Sequence, residues 1–432
     1  MSTTPASSGL RVAIVGAGPA GFYAADRLLR AEKDLDVQVE MFDRLPTPWG
    51  LVRAGVAPDH PKIKSVTRVY EKTARAEGFR FHGNVEVGSD VTHEELLRFH
   101  HAVIYTYGAS VDRRLSIPGE ELPGSVPATE FVAWYNGHPD AVHHRFDLQG
   151  HRAVVIGNGN VAVDVARMLV LGRDELAVTD IADEALEAIA ESSIEEVVIL
   201  GRRGPAQAAY TTPELRELGE LQHADVVVNA DEIELDDVSR AWLQSDEADR
   251  TARDNVEVVQ EYASREPSGK PKRVVLRYLR SPVEIVGDGK VEGVLVVRNE
   301  LLADEEGHLR AHHTGDQELI ACDLVLRSVG YRGIGIEGLP FDERSGTILN
   351  EGGRVVAAAG AAPLPGVYTA GWIKRGPTGV IGTNKKCANE TVDLLLEDLV
   401  AGRLPDALGD AAGLDALLSA RGATRVDYAG WE

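Results

Sequence analysis

Cysteine is nearly absent from this sequence of 432 residues, which contains only Cys322 and Cys387. The two residues lie far apart and form neither a CxxC pair nor a ligand set for zinc or an iron–sulfur cluster. This excludes a disulfide reductase that works through neighbouring cysteines, and it excludes a protein that carries its own cluster. We therefore predict a cytoplasmic protein whose cysteines do no redox chemistry.

Long apolar runs and an excess of basic residues are also lacking. No run approaches the ~18 apolar residues of a membrane-spanning helix. The first ten residues, MSTTPASSGL, do not show the basic-then-apolar pattern of a secretion signal. With 45 Lys and Arg against 68 Asp and Glu, the net charge is −23. We therefore expect neither nucleic-acid binding nor membrane insertion, although a local basic patch remains compatible with this charge.

Glycine, by contrast, is abundant, with 44 residues, and it marks two copies of one pattern. An apolar strand, RVAIVG, is followed by a helical stretch, AGFYAADRLLR, and by a second strand, DVQVEMFDR. The same order recurs in HRAVVIGNG, NVAVDVARMLVL and EEVVILGRR, with a predicted helical insertion before the last of these. Two βαβ units predict an α/β fold with two Rossmann-like dinucleotide-binding domains.

Two further stretches carry structural expectations. Residues 272–301, KRVVLRYLRSPVEIVGDGKVEGVLVVRNEL, predict antiparallel strands with a hairpin at GDGK. Residues 231–256 are acidic and poor in large apolar side chains, which predicts a solvated helical face.

The first glycine turn, GAGPAG, comes after a strand and opens a helix, as a GxGxxG fingerprint requires. Gly16 allows the tight turn, Gly18 lets a pyrophosphate approach the backbone, and Gly21 lets helix and strand pack closely. Asp43 ends the second strand and is suited to accept hydrogen bonds from a ribose. The alternative is a glycine-rich turn without a ligand.

The second glycine turn, GNGNVA, is the GxGxxA variant formed by Gly157, Gly159 and Ala162. Asn158 and Asn160 add amide donors beside the expected phosphates. Arg202 and Arg203 stand where the first unit has its carboxylate. Guanidinium groups suit a phosphate monoester, which predicts NADP instead of NAD. The alternative is a pair of solvated surface arginines.

One site with a carboxylate and one with two arginines predicts FAD together with NADP(H), and hydride transfer between them. With no close cysteine pair, and without the signature of flavin monooxygenases between the two turns, the electrons are expected to leave to a separate acceptor.

Four long motifs, PTPWGLVRAGVAPDHPKIKS, AVVIGNGNVAVDVAR, GRRGPAQAAYTTPELREL and GWIKRGPTGVIGTNK, resemble the adrenodoxin-reductase-type ferredoxin–NADP(+) reductases, especially their actinobacterial members. The resemblance runs from about residue 10 to residue 398. It implies a glutathione-reductase-like fold in which residues 1–112 and 331–432 form an FAD-binding domain and residues 113–330 an inserted NADP-binding domain. It also implies electron transfer from NADPH through FAD to a small iron–sulfur ferredoxin.

The resemblance also implies particular site residues. Those expected at FAD are Gly16, Ala17, Gly18, Pro19, Gly21, Asp43, Leu51 and Val87. Those expected along the flavin and nicotinamide are Trp372, Gly379, Val380 and Ile381. Those expected at NADP are Gly157, Asn158, Gly159, Asn160, Val161, Arg202, Arg203 and Glu214. Many relatives have Glu at the position of Asp43.

Two of these residues, Trp372 and Glu214, have ordinary structural alternatives, and His60 is a further candidate. Trp372 would form a flat apolar lid on a ring system, or else be a core aromatic residue. His60, between two prolines, would relay or orient a proton near the flavin. Glu214 follows Pro213 at the predicted start of a helix, where the alternative is that it only complements the helix dipole. The resemblance places both His60 and Glu214 at the redox centre as candidate catalytic residues.

An acidic ferredoxin would need a basic docking patch. The stretch HPKIKSVTRVYEK supplies Lys62, Lys64, Arg68 and Lys72, and Arg53 is near in sequence. The alternative for these residues is ordinary solvated charge.

Two other functions remain open at this point. One is an NADPH diaphorase or quinone reductase without a dedicated ferredoxin. The other is an electron-transfer or regulatory subunit of a larger complex, although such subunits usually bring cysteine-rich segments.

Overall fold

The computed structural model describes residues 9–31, 35–246, 248–305 and 309–432. The chain divides into two compact units. Unit 1 comprises Met1–Val56, Lys62–Arg113 and Gly330–Glu432, and unit 2 comprises Ala57–Pro61 and Arg114–Val329. The short segment Ala57–Pro61 therefore groups with unit 2, although the chain on either side of it belongs to unit 1.

The secondary structure alternates strands and helices through most of the chain. The strands are β1 (Leu10–Val15), β2 (Val37–Asp43), β3 (Phe79–Gly83), β4 (Ala102–Tyr105), β5 (Val111–Asp112), β6 (Ser125–Pro127), β7 (Arg152–Ile156), β8 (Glu196–Leu200), β9 (Ala224–Val228), β10 (Lys272–Arg277), β11 (Arg280–Val286), β12 (Gly293–Ala303), β13 (Leu309–Ala321), β14 (Leu324–Arg327), β15 (Tyr331–Arg332), β16 (Phe341–Asp342), β17 (Thr347–Ile348), β18 (Asn350–Glu351), β19 (Arg354–Val356) and β20 (Pro363–Thr369). The α-helices are α1 (Pro19–Leu29), α2 (Leu51–Ala54), α3 (Pro61–Lys64), α4 (Thr67–Ala74), α5 (His93–Phe99), α6 (Ala128–Tyr135), α7 (Asn160–Val170), α8 (Arg173–Leu176), α9 (Asp183–Ala190), α10 (Thr212–Leu218), α11 (Asp237–Gln244), α12 (Arg250–Ser264), α13 (Trp372–Arg375), α14 (Ile381–Val400), α15 (Ala411–Ala420) and α16 (Tyr428–Trp431). Two 3-10 turns cover Pro205–Gln207 and Ala230–Glu232.

Unit 1 is built on a seven-stranded sheet in the order β18-β19-β20-β4-β1-β2-β3. The pairs from β20 to β3 are parallel, and β18, β19 and β20 pair antiparallel. Along β1, Val12 and Ile14 point into one core, whereas Ala13 and Val15 point into another. A strand that is buried on both faces reads as a continuous apolar run, which is why RVAIVG shows no alternation.

Unit 2 is built on a six-stranded parallel sheet in the order β6-β14-β7-β8-β10-β9. Along β7, Ala153 and Val155 face one core, and Val154 and Ile156 face the other. A separate antiparallel sheet, β11-β12-β13, belongs to the same unit. The two predicted Rossmann-like βαβ units are therefore confirmed, one in each unit.

Two sequence expectations need correction. The GDGK hairpin does join antiparallel β11 and β12, but KRVVLR forms β10, which pairs parallel with β8 and β9 inside the main sheet. The stretch 231–256 does not form only a solvated face, because Asn255 and Val256 of α12 are buried. The buried residues of this stretch are small and stand among many charged ones, so the sequence pattern does not indicate their burial.

No helix in the part of the chain that the structure describes is long and apolar enough to span a membrane.

Two candidate dinucleotide sites and a buried charge cluster

The first glycine turn lies at the carboxyl end of β1. The Gly16 N–H donates to the Phe42 carbonyl of β2 at 2.8 Å, and Gly16 has a φ of +106°. A Cβ on Gly21 would lie 2.2 Å from the Gly16 carbonyl oxygen, so only glycine allows this close packing of turn and helix. A Cβ on Gly18 would meet nothing within 4 Å. The open space beside Gly18, at the uncapped N-terminus of α1, is suited to a phosphate group.

Asp43 is tied to this same turn. Its Oδ2 accepts a hydrogen bond from the Ala17 N–H at 2.8 Å, and its Oδ1 accepts one from the Leu45 N–H at 2.9 Å. Burial raises the pKa of Asp43, and the two N–H donors offset only part of that effect. Each carboxylate oxygen keeps a further lone pair, so the side chain can still accept from a ribose hydroxyl.

The turn after β2 contains a residue that the sequence motifs did not single out. Trp49 is buried and has a φ of +88°, a strained conformation for a bulky residue. Its N–H donates to the Ala17 carbonyl at 2.9 Å. A Cβ on Gly50 would lie 2.9 Å from the Gly18 Cα. The WG pair therefore supports the glycine turn, and strain at such a position is typical of functional sites.

The motif GWIKRGPTGVIG also belongs to unit 1. A Cβ on Gly371 would lie 2.7 Å from the Ala20 Cβ of α1, which places this motif next to the first turn. Trp372 stacks on Tyr331 with a centroid distance of 5.8 Å, and it is half-buried instead of lying in the core. The Nε and Nη1 atoms of Arg375 are buried without a hydrogen-bond partner among the described residues. Such orphaned donors suit a bound group that carries acceptors.

The remaining predicted FAD residues lie within or near these motifs. Gly379 has a φ of +79°, Val380 is 57% exposed, and Ile381 begins the long helix α14. Leu51 is exposed and lies directly after Gly50. Val87 packs half-buried beside the second core of unit 1.

The second glycine turn has the same backbone plan at the carboxyl end of β7. The Gly157 N–H donates to the Leu200 carbonyl at 2.9 Å, and Gly157 has a φ of +126°. The Asn158 carbonyl accepts from the N–H groups of Ala209 and Tyr210 at 3.0 and 3.1 Å. The Asn158 Nδ2 is buried without a partner within the described ranges, which leaves a donor for a ligand. Asn160 uses its Oδ1 to accept from the Thr211 N–H at 2.7 Å.

Arg202 and Arg203 come directly after β8, and Arg202 is exposed. Neither guanidinium forms a hydrogen bond or an ion pair with another residue in the described part of the chain. Burial, together with the charges of Arg202 and Arg310, lowers the pKa of Arg203. Two guanidinium groups without a carboxylate of their own are suited to bind an anion.

His60 and Glu214, the two candidate catalytic residues, come together within unit 2. The His60 Nε2 lies 3.3 Å from the Glu214 Oε2 and 3.4 Å from the Asp164 Oδ1. Asp59 and Glu217 carry the other carboxylates around this nitrogen, at 3.9 and 3.6 Å. The two candidate residues therefore contact each other in the structure, whereas their place at the redox centre and their catalytic role stay predictions.

Arg167 organises this cluster and was not predicted. It is buried in α7 with 3% exposure, pairs with Asp59 through Nε and Nη2, and donates to the Asp164 Oδ1 at 2.7 Å. It also lies 3.4 Å from the Glu214 Oε2 and contacts the His60 Nε2. A sequence signal for this ion pair was available. Asp164 and Arg167 stand three positions apart in the largely apolar stretch NVAVDVARMLV, so they lie on the same side of a helix.

The cluster holds His60 in its charged form. Burial by itself lowers the pKa of His60, but hydrogen bonds to Asp164 and Glu214 outweigh it and raise the pKa to about 10. With several carboxylates facing Nε2, a proton on that nitrogen is favoured over an acceptor role toward Arg167. Burial raises the pKa of Glu214, yet His60 and Arg167 outweigh it and lower the pKa.

The same cluster contains a spacing that could hold a metal ion. Ligand atoms of His60, Glu214 and Glu217 lie within 4.8 Å of one another. Because Arg167 contacts the same His60 nitrogen, a fixed positive charge already stands beside these atoms. This positive charge disfavours a metal cation at that place.

The predicted basic patch lies on α2, α3 and α4 of unit 1. Arg53, Lys62 and Arg68 are exposed, and Lys64 is half-exposed. The exposed apolar side chains of the same segment are Leu51, Ile63 and Val69. The Arg53 guanidinium lies over the Trp431 ring, 5.2 Å from its centroid. Mixed basic and apolar surface of this kind fits an acidic protein partner.

Comparison with known proteins agrees with this geometry. Residues 10–200 match the family model described as pyridine nucleotide-disulphide oxidoreductase. Two glycine turns, each at the carboxyl end of a strand that pairs parallel with its neighbours, place the chain in that fold class. Its two cysteines, both buried, offer no redox pair.

The particular family is shown by closer relatives. NADPH-ferredoxin reductase FprA of Mycobacterium tuberculosis is 54% identical over 391 residues, which cover 90% of this chain and 84% of that protein. The mitochondrial NADPH:adrenodoxin oxidoreductase of Arabidopsis thaliana is 39% identical, over 100% of this chain and 90% of that protein. The structure of M. tuberculosis FprA in complex with NADPH superimposes with a TM-score of 0.91 at 50% identity, covering 98% of this chain and 92% of that one. The chain belongs to the NADPH-ferredoxin reductase family.

Proposed function

We propose that this chain is an NADPH:ferredoxin oxidoreductase that binds FAD in unit 1 and NADP(H) in unit 2. The observation that carries the proposal is the contrast at the two second strands. One ends in Asp43, bonded to its own glycine turn, and the other is followed by Arg202 and Arg203, whose guanidinium groups have no protein partner in the described residues. Membership of the family supports the same conclusion.

The residues of unit 1 fit FAD. The open space at Gly18 and the uncapped N-terminus of α1 would receive the pyrophosphate, and Asp43 would hold the adenosine ribose. The orphaned Nε and Nη1 atoms of Arg375 would find acceptors on the bound group, and Trp372 would cover a ring. When bound, FAD would supply the chemistry of accepting a hydride and releasing electrons one at a time.

The residues of unit 2 fit NADP(H). The Gly159 turn and the Asn158 Nδ2 would receive the pyrophosphate at the N-terminus of α7. Arg202 and Arg203 would bind the 2′-phosphate through charge-assisted hydrogen bonds. Glu214 and Asp164 hold the proton on His60 at neutral pH, so this residue supplies a fixed positive charge instead of exchanging a proton. A direct hydride transfer needs no general acid, which agrees with that role.

The partner is a small acidic iron–sulfur ferredoxin, and the basic patch on α2, α3 and α4 is its proposed docking surface. Opposite charges across such an interface accelerate association and weaken with salt. The cytoplasmic location stays a prediction, made from the low cysteine content.

A two-stage stopped-flow experiment tests the function. Purified protein is first mixed with NADPH while flavin absorbance is followed, and the reduced protein is then mixed with a ferredoxin. We expect bleaching of the flavin in the first stage and rapid ferredoxin reduction in the second. Absence of a flavin spectrum would contradict the proposal and would favour a subunit that works without flavin. Reduction of quinones but not of ferredoxin would favour a diaphorase.

A further inference from the structure

The turn that carries Arg202 and Arg203 is held by the antiparallel sheet of unit 2. All three carbonyls of Gly201, Arg202 and Arg203 accept hydrogen bonds from the region around that sheet. The Arg280 N–H reaches the Gly201 carbonyl at 3.0 Å, and the Leu279 N–H reaches the Arg203 carbonyl at 3.2 Å. The middle carbonyl, that of Arg202, receives a side chain instead of a backbone donor. That donor is the Nδ2 of Asn299 on β12, at 2.7 Å.

Asn299 is buried, with 2% exposure, and its amide orientation is set by its neighbours. Since the Arg202 carbonyl can only accept, the Asn299 atom that faces it must be the N–H₂ group. The same Nδ2 lies 2.9 Å from the Ser281 Oγ of β11, and the Asn299 N–H donates to the Leu279 carbonyl at 2.8 Å. Leu279 has a φ of +55°, so the bend that brings β11 against the turn is itself in an unusual conformation.

The amide of Asn299 is kept at a cost to stability. Its Oδ1 is buried without a hydrogen-bond partner among the described residues. A buried unpaired oxygen destabilises the folded state, and an apolar side chain of similar volume would avoid that loss. A residue needed only to fill space at this point would not require the amide. The donor to the Arg202 carbonyl is what an apolar residue could not provide.

We propose that Asn299 is a positioning residue for coenzyme selection, which fixes the peptide between Arg202 and Arg203 so that both guanidinium groups point at the 2′-phosphate of NADP(H). The orientation of that peptide sets the direction of the Cα–Cβ bonds on either side of it. This inference rests on the proposed function, because it assumes that Arg202 and Arg203 bind the 2′-phosphate. It adds a third residue, 97 positions beyond Arg202, that acts through the backbone of the turn.

Two nucleotide fragments separate this role from a purely structural one. Calorimetric titration of the purified holoenzyme with 2′,5′-ADP and with 5′-AMP reports directly on the 2′-phosphate. For Asn299→Ala we expect binding of 2′,5′-ADP to weaken about three- to tenfold, with binding of 5′-AMP unchanged. Ser281→Ala is the matched control, since it removes the other partner of the same Nδ2, and it should change neither affinity.

The outcomes distinguish this inference from the function on which it rests. Equal weakening of both fragments by Asn299→Ala, or of neither, would overturn the positioning role. If Arg202→Ala and Arg203→Ala also leave the preference for 2′,5′-ADP intact, then the proposed 2′-phosphate site is itself wrong. If Asn299→Ala does not give folded protein, Asn299→Ser is measured in its place, with the same expected direction.

Discussion

The two dinucleotide turns of this chain share one backbone plan and differ in the residues that come after the second strand. Gly16 and Gly157 both have positive φ values, and each donates its N–H to the last part of the neighbouring strand. The carbonyls of Ala17 and Asn158 both accept from a segment that lies beyond that strand. The frame is therefore common to both sites, and it accommodates a pyrophosphate in either unit.

The two units differ in the hydrogen bonds made by the charged side chains at or after the end of the second strand. Asp43 is bonded to the backbone of its own glycine turn, so the carboxylate is part of the turn. The guanidinium groups of Arg202 and Arg203 make no such bond within the described residues, and only the backbone carbonyls of these two residues are held, by the Asn299 Nδ2 and the Leu279 N–H. A ribose site can therefore be built locally, whereas a phosphate site here needs guanidinium groups that stay available.

The largest expected effect comes from filling the two phosphate cradles separately. In Gly18→Ala the new methyl group meets no protein atom within 4 Å, and in Gly159→Ala the nearest is the Ala209 Cβ at 3.9 Å. Neither substitution should therefore disturb the fold, but each would crowd a bound pyrophosphate. We expect Gly18→Ala to lose FAD affinity about ten- to a hundredfold, and Gly159→Ala to retain FAD and lose NADPH affinity to a similar extent. Flavin content per protein and NADPH titration measure the two effects. Normal flavin content in Gly18→Ala would show that the cradle lies elsewhere.

The next prediction compares the arginines that follow β8 with Asp43 at the end of β2. Arg202→Ala or Arg203→Ala removes a charged hydrogen bond, which is worth roughly 1.5–3 kcal/mol, so NADPH should bind about ten- to a hundredfold more weakly while NADH is spared. Asp43→Asn is the matched variant in unit 1, and it should weaken FAD without changing the preference for NADPH. Steady-state kcat/KM for both coenzymes provides the measurement. Equal losses with NADPH and NADH would refute the 2′-phosphate assignment.

A smaller effect is expected from reversing surface charge in one unit and not in the other. Lys62→Glu with Lys64→Glu changes the proposed docking patch of unit 1. Exposed charges contribute about 0.2–1 kcal/mol each, so the KM for ferredoxin should rise about two- to fivefold and its salt dependence should become shallower. Arg250→Glu with Lys290→Glu reverses two exposed charges of unit 2 as the control. An unchanged salt dependence in the first variant would argue against the patch.

The smallest expected effect concerns the charge cluster around His60 in unit 2. Because the pKa of His60 is raised to about 10, its protonation stabilises the fold fully below pH ~6.5, and this contribution is lost as the pH rises through 10. The lowered pKa of Glu214 acts in the opposite window, since its contribution is lost only as the pH falls. In His60→Gln, the decline of Tm between pH 6.5 and 10 should be shallower by about 2–4 °C. Thermal melts that stay parallel to those of the unchanged protein would contradict the charged state of His60.

Sequence patterns were sufficient for the elements whose signal is local. The apolar strands, the two glycine turns, α1 and α7, and the arginines after β8 are all indicated by residues within about fifty positions of one another. They are determined by backbone geometry that only glycine allows and by strands that are buried on both faces. The same reasoning was wrong for KRVVLR, because an apolar strand next to a hairpin signal reads alike whether it pairs with the hairpin or with the main sheet.

The sequence by itself therefore determined two dinucleotide turns, their order along the chain, and the exchange of a carboxylate for two arginines. Only the tertiary structure decided that Arg167 pairs with Asp59 across 108 positions and that Asn299 holds the Arg202 carbonyl from 97 positions away. The physical reason is that burial decides how strongly charged and polar side chains interact, and burial depends on the tertiary fold. Arg167 and His60 are buried with the surrounding carboxylates, where water screens their charges less. The Asn299 amide has a role only because the fold places the Arg202 carbonyl beside it.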